Sequence, residues 1–166
     1  MVVMANLVMG ADGSTSIRGS SSALSSKLDR LRFHELRKRA SVILIGGNTA
    51  RNEPYAKTPL PLVILTLKNQ IPDEVLANPN LEVWQLDPVE AVAKAQIEFP
   101  GNILIEGGIN LLVKLLAAEL IDELYLTINS QAGGENIYDL NQLTREFTIT
   151  SSEKSGDDNF LILIKN

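Results

Sequence analysis

The sequence predicts an α/β protein with a mostly parallel central sheet, an antiparallel edge near the carboxyl terminus and helices on both faces. Short apolar runs alternate with helix-like segments as far as residue 120, which is typical of β-α units. Several of these runs are apolar throughout, as expected of parallel strands that helices cover on both sides. After residue 120, three strand-like runs follow in succession, which favours hairpins.

Size and composition limit the classes of protein to which this chain can belong. With 166 residues it is long enough for one full core and short for two, so we expect a single domain over residues 1–166. Hydrophobic residues make up 45% of the sequence, but no apolar run is long enough to cross a bilayer, and no secretory leader pattern is visible at the start. We therefore expect a cytoplasmic location and no membrane partner.

Residue counts and charge exclude several kinds of site. The chain has no cysteine and one histidine, so a disulfide scaffold, a thiolate nucleophile and a multi-histidine metal site are excluded, and no metal is expected. The net charge of −5 argues against nucleic acid as a partner. Basic residues nevertheless crowd one segment, which predicts either a small anionic ligand or a solvated helix face, and both interpretations stay open. These residues are Lys27, Arg30, Arg32, Arg37, Lys38 and Arg39.

The chain opens with a strand, a loop and a helix. Residues 1–9 form an apolar run that fits a buried strand. Residues 10–26 have the glycine and serine content of a loop, in which Asp12 and Gly13 indicate a turn. Ser26 is a candidate cap for the helix that follows.

We expect two distinct faces on this first helix. Leu28 and Leu31, together with Leu24 just before it, mark the side that faces the core. The basic side chains of the second face, Arg30, His34 and Arg37, are spaced so that they lie together on the helix surface. That face is a candidate phosphate-binding surface.

The middle of the chain repeats the pattern of strand and helix. Residues 41–47 form an apolar strand that ends in Gly46 and Gly47, and Pro54 keeps the helical piece after it short. The same signals predict the remaining elements of this part: a strand at 60–67 with Thr66 and Lys68 at its carboxyl end, a short helix at 72–77, a strand at 81–86, and a helix capped by Asp87 with Pro88 at its first position.

The stretch 103–112 carries the clearest signal of a binding site. A short buried strand ends at Glu106, and Gly107 and Gly108 permit a close approach of the backbone to a ligand. An amphipathic helix then runs from Ile109, so that its free N–H groups point into the glycine turn and favour phosphate. The alternative is a tight strand-to-helix turn that binds nothing.

Three strands are predicted at the end of the chain. They span residues 122–129, 146–152 and 159–165, with a hairpin turn at 155–158. The apolar stretch 160–164 is expected near a sheet edge, where it would need cover. This is one reason to expect a homodimer.

Two glycine turns at strand ends are stronger evidence for a ligand-binding site than one such turn alone. In an open α/β sheet the ligand lies beyond the carboxyl ends of the strands. If the strands are neighbours, the turns at 46–49 and 108–112 form two walls for one diphosphate, and Lys68 faces the adenosine side. The sequence lacks the single-turn G-x-G-x-x-G pattern, so we expect a split dinucleotide site.

At these segments the sequence resembles the reductase domain of riboflavin biosynthesis, which shares the dihydrofolate reductase fold, a three-layer sandwich. The resemblance covers nearly the whole chain in the expected order. It rests on ADGSTS at 11–16, RGSSSALSS at 18–26, FHELR ending at Arg37, VILIGGNTARNEP at 42–54, and ILIEGGINLL at 103–112 leading into LIDELYLTI at 120–128.

The resemblance implies an NADPH-dependent reductase that delivers a hydride to C1′ of the ribosyl group of a phosphoribosylaminopyrimidine. Thr66 and Lys68 follow a strand end where a 2′-phosphate would lie in this fold, so we expect NADPH rather than NADH. Together with the glycine turns, the resemblance gives these cofactor-binding residues: Val8, Gly46, Gly47, Thr49, Glu53, Thr66, Lys68, Gly107, Gly108, Ile109, Asn110 and Leu111.

Ser21, Arg37 and Glu106 resemble the substrate contacts of the family. Lys57 is the nearest candidate to replace an arginine that relatives carry after the N-E-P turn at 52–54, and Ala23 stands where many relatives have an aromatic residue. Whether the substrate is the deaminated uracil form or the diaminopyrimidinone form stays open. The resemblance also implies a homodimer and a separate deaminase in the same pathway.

Two other functions compete with this prediction. A dihydrofolate or pterin reductase on the same fold would require an acidic residue deep on an early helix and an aromatic clamp, whereas the first helix here is basic. A dinucleotide-binding module without catalytic activity is the second alternative.

Overall fold

The computed structural model describes residues 1–68 and 70–166. The strands are β1 (Val3–Gly10), β2 (Val42–Gly46), β3 (Leu62–Leu65), β4 (Leu81–Trp84), β5 (Ile103–Glu106), β6 (Glu123–Asn129), β7 (Phe147–Ser155) and β8 (Asp158–Lys165). The helices are α1 (Lys27–Lys38), α2 (Gly47–Asn52), α3 (Asp73–Leu76), α4 (Pro88–Glu98), α5 (Ile109–Ala117) and α6 (Leu140–Thr144).

The strands form one sheet in the order β4-β3-β2-β5-β1-β6-β8-β7. Strands β1 to β6 run parallel, while β8 is antiparallel to both β6 and β7. This confirms the predicted fold class, a mostly parallel sheet with an antiparallel carboxyl-terminal edge. Because β3, β2, β5 and β1 are consecutive neighbours, their carboxyl ends meet at one rim of the sheet.

Helices cover both faces of the sheet because alternate strand residues point to opposite sides. Leu44 of β2 belongs to the same buried cluster as Leu112 of α5, on one face. On the opposite face, Met4 of β1 clusters with Leu36 of α1. Among the described residues, no helix has both the length and the apolar character that a membrane span needs.

Helix α1 begins where the sequence predicts, but its buried side is different. The Ser26 side chain accepts a hydrogen bond from the Asp29 N–H at 3.1 Å and so caps the helix. The expectation that Leu28 and Leu31 face the core is wrong, since their exposed fractions are 39% and 55%. Asp29 and Leu36 are buried instead, because the polar partners of Asp29 on β6 and the loop before α1 offset the cost of burying a carboxylate.

The positions of the carboxyl-terminal strands in the sheet also differ from the prediction at one point. The stretch 160–164 lies within β8, which is hydrogen-bonded on both sides and is therefore not an edge. The edge strand is β7, whose middle is exposed and mostly polar, as is usual for strands that must avoid pairing with other chains. Helix α6, which Asp139 caps, was not expected from the sequence because its five residues carry no clear helical period.

Candidate active site

A cavity of about 950 Å³ opens at the rim where the carboxyl ends of β1, β2, β3 and β5 meet. Helix α1 and the loop before it form one side, and the turns that lead into α2 and α5 form the other. This volume is near the upper end of the range for small-molecule sites. The cavity is therefore large enough for two ligands placed end to end.

The two glycine turns face each other across this cavity. A Cβ atom added to Gly108 would lie 2.9 Å from Thr49 Oγ1 and 3.9 Å from the backbone nitrogen of Gly46. Gly107 and Gly108 both have positive φ angles, 55° and 72°, which side-chain-bearing residues rarely adopt. The backbone of the second turn therefore packs against the first turn at Gly108, where a side chain would clash with Thr49.

Gly108 is also the N-cap residue of α5. The first N–H groups of a helix have no partner within it, and those of Ile109 and Asn110 belong to residues that line the cavity. Together with the positive end of the helix dipole they favour an anion such as a diphosphate. The chain's own residues here fit the diphosphate of a dinucleotide.

The structure brings most of the predicted site residues to one cavity. Glu106 is fully buried behind its wall, and Lys57 and Lys68 lie outside its lining on the exposed surface. The predicted residues that line the cavity are Val8, Ser21, Arg37, Gly46, Gly47, Thr49, Glu53, Thr66, Gly107, Gly108, Ile109, Asn110 and Leu111.

Two of the predicted substrate contacts bind each other. Arg37 donates from Nε to Glu106 Oε1 and from Nη2 to Glu106 Oε2, each at 2.7 Å, so that the pair is bidentate. Tyr55 donates its hydroxyl hydrogen to Glu106 Oε2 at 2.9 Å. The guanidinium also stacks against Phe33, 4.3 Å from the ring centre. Arg37 is thus held flat in the cavity wall with its charge neutralised.

The ionisation of these groups follows from their burial and pairing. Burial raises the pKa of the Glu106 carboxyl, and the hydrogen bonds from Arg37 and Tyr55 oppose that rise. Burial acts to lower the pKa of Arg37, but pairing with Glu106 outweighs it and the pKa is raised. The pKa of Tyr55 is raised by burial and by the nearby carboxylate. The three groups therefore hold one another in a fixed arrangement.

Glu53 fixes the loop that precedes α1. Its Oε1 atom accepts hydrogen bonds from the Ser21 N–H at 2.7 Å, the Ser21 hydroxyl at 3.0 Å and the Ser20 hydroxyl at 3.2 Å. A predicted cofactor contact and a predicted substrate contact are thus joined directly. Glu135 holds the same loop from the opposite side by accepting from the Gly19 N–H at 3.0 Å.

Three side chains at the site were not predicted from the sequence: Asp29, Phe33 and Tyr55. Asp29 is only 4% exposed and lines the cavity, as does Phe33 one turn further along α1. Tyr55 is buried against Glu106. The i, i+4, i+8 spacing of Asp29, Phe33 and Arg37 was the available signal, but the exposed basic residues on the same helix obscured it.

The strand order and the rim cavity define the class of fold, an α/β protein with a dihydrofolate reductase-like architecture. The sequence profile of the RibD C-terminal domain matches residues 1–161. The chain belongs to this family, which is a family of riboflavin-biosynthesis reductases and confirms the resemblance described above. A reductase of this kind implies a nicotinamide dinucleotide cofactor.

The search of curated proteins found no match to the sequence. Solved structures with the same fold come from several bacteria. A pyrimidine reductase-like protein from Corynebacterium diphtheriae is 16% identical, with a TM-score of 0.75 over 99% of this chain and 92% of its own. Acinetobacter baumannii RibD is 16% identical, with a TM-score of 0.76 over 99% of this chain and 58% of its own.

The third comparison is with a diaminohydroxyphosphoribosylaminopyrimidine deaminase/5-amino-6-(5-phosphoribosylamino)uracil reductase from Thermotoga maritima. It is 17% identical, with a TM-score of 0.71 over 99% of this chain. The present chain spans 56% of the length of that protein. At such identities these structures establish the fold.

Proposed function

We propose that this protein reduces the ribosyl group of a phosphoribosylaminopyrimidine to the ribityl form, with NADPH as the hydride donor. The observation that carries the proposal is that one cavity joins two facing glycine turns to the basic inner side of α1. The turns suit a diphosphate. Arg30, His34 and Arg37 on α1 suit the phosphoribosyl part of the substrate.

The protein's main contribution is to position the two reactants. A reduced nicotinamide supplies, when bound, the hydride that forms a new C1′–H bond while the C1′–O4′ bond breaks and the ring oxygen takes a proton from solvent. Val8, at the carboxyl end of β1, is the proposed backbone contact beside the nicotinamide. The paired Arg37 and Glu106 keep the substrate side of the cavity rigid, so that C1′ is held near the donor.

The choice of NADPH rests on the end of β3. Thr66 lines the cavity there, and its hydroxyl group accepts a hydrogen bond from the Lys68 N–H at 3.1 Å. The Lys68 side chain is exposed next to this point, and its long stem can reach a 2′-phosphate at the cavity mouth.

The test is NADPH oxidation measured with a phosphoribosylaminopyrimidine and, in parallel, with dihydrofolate. Turnover of the phosphoribosyl substrate with formation of the ribityl product supports the proposal. Turnover of dihydrofolate alone would replace it with the alternative below. Binding of NADPH without turnover of either substrate would leave a dinucleotide-binding module.

A dihydrofolate or pterin reductase is the second candidate, and one observation favours it. The buried carboxylate of Asp29 on the first helix, with Phe33 beside it, is the combination of acidic residue and aromatic group that a pterin site requires. The basic residues of α1 still favour a phosphorylated substrate, so we place this function second.

Three further properties are proposed with the main function. The protein acts in the cytoplasm, it forms a homodimer, and a separate deaminase acts on the same pathway. The family to which the chain belongs supports the link to a deaminase, because the relative from Thermotoga maritima is named for both activities.

A further inference from the structure

Asn6 is a polar side chain in the middle of an otherwise apolar strand. Every other residue from 3 to 9 is hydrophobic. Asparagine is depleted in strands, and an amide that leaves bulk water costs free energy unless it is hydrogen-bonded. The packing of β1 therefore gives no reason for an asparagine at this position.

The Asn6 amide has no hydrogen-bond partner within the described part of the protein. Asn6 is half-buried and lines the rim cavity. Across residues 1–68 and 70–166 its side chain neither donates nor accepts a hydrogen bond. No fully buried side-chain polar atom in these residues lacks a partner, so the amide is open to the cavity rather than enclosed. Its two N–H donors and its carbonyl acceptor are therefore available to a ligand.

Asn6 lies where the two sides of the cavity meet. Its backbone carbonyl oxygen accepts a hydrogen bond at 3.3 Å from the N–H of Gly107, in the second glycine turn. Its register partner on β5 is Glu106, which is paired with α1. Alternate residues of a strand share a face, so Asn6 points to the same side as Val8, about 7 Å further along β1. The amide is therefore next to the proposed nicotinamide contact and between the glycine turns and α1.

The reacting carbon of the proposed substrate belongs at this junction. A hydride donor and its acceptor carbon react when they are about 3–3.5 Å apart, so C1′ lies close to the nicotinamide. The 2′-hydroxyl is on the carbon next to C1′, and with the 3′-hydroxyl it forms a vicinal pair. Each hydroxyl can donate or accept a hydrogen bond, so the pair matches the adjacent acceptor and donor of an asparagine amide.

We propose, on the basis of the function proposed above, that the Asn6 amide binds the 2′- and 3′-hydroxyl groups of the ribosyl ring. Oδ1 accepts a hydrogen bond from one hydroxyl, and Nδ2 donates to the other. Both hydroxyls remain in the ribityl product, so the contact holds the sugar throughout the reduction. Asn6 thus positions C1′ against the hydride donor and selects a ribosyl over a 2′-deoxyribosyl group.

The test compares the ribosyl substrate and its 2′-deoxyribosyl analogue in the wild type and in Asn6→Leu. Leucine keeps a branched side chain but has no hydrogen-bonding group. In the wild type, kcat/KM for the ribosyl form should exceed that for the analogue at least about tenfold, because the analogue leaves the amide unpaired. Asn6→Leu should lower kcat/KM for the ribosyl form about tenfold and use both forms equally. Its affinity for NADPH should stay as in the wild type.

The free energy of unfolding separates a ligand contact from a structural role. Because the Asn6 amide has no partner in the fold, Asn6→Leu and the smaller Asn6→Val should be at least as stable as the wild type. Asn129→Leu on β6 is the matched control, since that amide donates to Asp158 at 2.7 Å and accepts from the Gln131 N–H at 3.0 Å. The control should lose stability and keep the wild-type ratio between the two substrate forms. A loss of stability in both Asn6 variants as large as in the control would overturn the proposal.

Other outcomes separate this inference from the proposed function. Equal use of the two forms by the wild type would overturn the inference, whether or not the variants fold. Weaker NADPH binding by Asn6→Leu with an unchanged substrate ratio would assign the amide to the cofactor instead. If neither form is reduced, the proposed function fails, and calorimetric binding of ribose 5-phosphate and 2-deoxyribose 5-phosphate decides the inference by itself. Tighter binding of ribose 5-phosphate that Asn6→Leu abolishes would support it, and equal binding would overturn it.

Discussion

At the scale of single residues, the pairing of Arg37 with Glu106 changes what each can do. Two of the five N–H donors of the guanidinium are used by the carboxylate, and its charge is balanced. The uncompensated positive charge on this side of α1 comes from Arg30, which is exposed and, among the described residues, donates to the Ser25 carbonyl oxygen at 3.3 Å. On the proposed function, we therefore expect Arg37 to serve the substrate mainly through its fixed shape.

Replacing Arg37 with alanine is expected to destabilise the fold as well as the substrate complex. The change leaves Glu106, which has no exposed surface, as a buried carboxylate whose one remaining partner in residues 1–68 and 70–166 is the Tyr55 hydroxyl. Breaking a buried ion pair in this way costs about 3–5 kcal/mol. Urea denaturation of Arg37→Ala against the wild type measures the loss in the free energy of unfolding.

The double variant Arg37→Ala with Glu106→Gln supplies the control, because glutamine removes the unpaired charge. It should be clearly more stable than Arg37→Ala alone. Equal instability of the two variants would mean that the lost packing against Phe33, rather than the buried charge, sets the cost. Substrate kinetics are better measured with Arg37→Lys, which keeps a charge next to Glu106 but loses the two-pronged geometry.

Lys68 is expected to set the preference for NADPH over NADH. Lys68→Ala should lower the ratio of NADPH affinity to NADH affinity roughly tenfold, because one charge-assisted contact to the 2′-phosphate is lost. Titration of both cofactors against the two proteins measures the ratio. Lys154→Ala, which removes an exposed lysine from the distant edge strand β7, is the control. An unchanged ratio in Lys68→Ala would move the 2′-phosphate to another group.

At the scale of elements, the loops at the rim are held by carboxylates. Asp12, in the loop after β1, accepts hydrogen bonds from the Ser14 N–H at 3.0 Å, from the Ser14 hydroxyl at 2.7 Å and from the Gly133 N–H at 2.7 Å. It thus forms a turn, as its position before Gly13 predicts, and also ties that loop to the one after β6. Glu53 and Glu135 fix the later part of the same loop in the same way.

The Asp12 turn predicts a specific pH dependence of stability. The hydrogen bond from the Gly133 N–H, followed by those from Ser14, lowers the pKa of Asp12 from 3.8 to about 2. A pKa that is depressed in the folded state stabilises the protein above the unfolded value, and the contribution is lost as pH falls toward the folded value. The wild type should therefore exceed Asp12→Asn in stability above about pH 4, with the difference closing toward pH 2.

Denaturant midpoints of the two proteins across this pH window check the expectation. A difference that stays constant from neutral pH to the acid end would show that the asparagine variant lost packing and not a charge-assisted turn.

At the scale of the whole molecule, the order of strands creates the site. Insertion of β5 between β2 and β1 brings Gly108 beside Thr49, although 59 residues separate them in the chain. The same order leaves β7 and β4 as the two edges of the sheet. Strand β7 carries Ile149, which is 54% exposed among mostly polar neighbours.

A homodimer stays a prediction, and its basis shifts from β8 to the region around β7. Ile149 and Ile164 on these two strands are 54% and 36% exposed and would gain cover from a second copy. Light scattering at micromolar concentration should give a mass twice that of one chain. Ile149→Glu should lower that mass if β7 forms the contact. A wild-type mass equal to one chain at all concentrations would contradict the prediction.

The sequence by itself determined the fold class, most of the element boundaries and the two glycine turns. These features depend on local signals, namely the apolar period of each segment, the caps at Ser26 and Asp87, and glycines where the backbone must turn tightly. Such signals lie within a few residues of one another, so they can be recognised without knowledge of what lies opposite.

Only the tertiary structure decided which polar groups face one another. Arg37 and Glu106 each suggested a substrate contact, yet they are 69 residues apart and form an ion pair. Asp29 was not predicted to belong to the site, because its carboxylate is held by Thr127, 98 residues away. The pairing of a charged side chain depends on groups that distant strands bring within hydrogen-bond distance. That distance cannot be predicted from the spacing of residues along the chain.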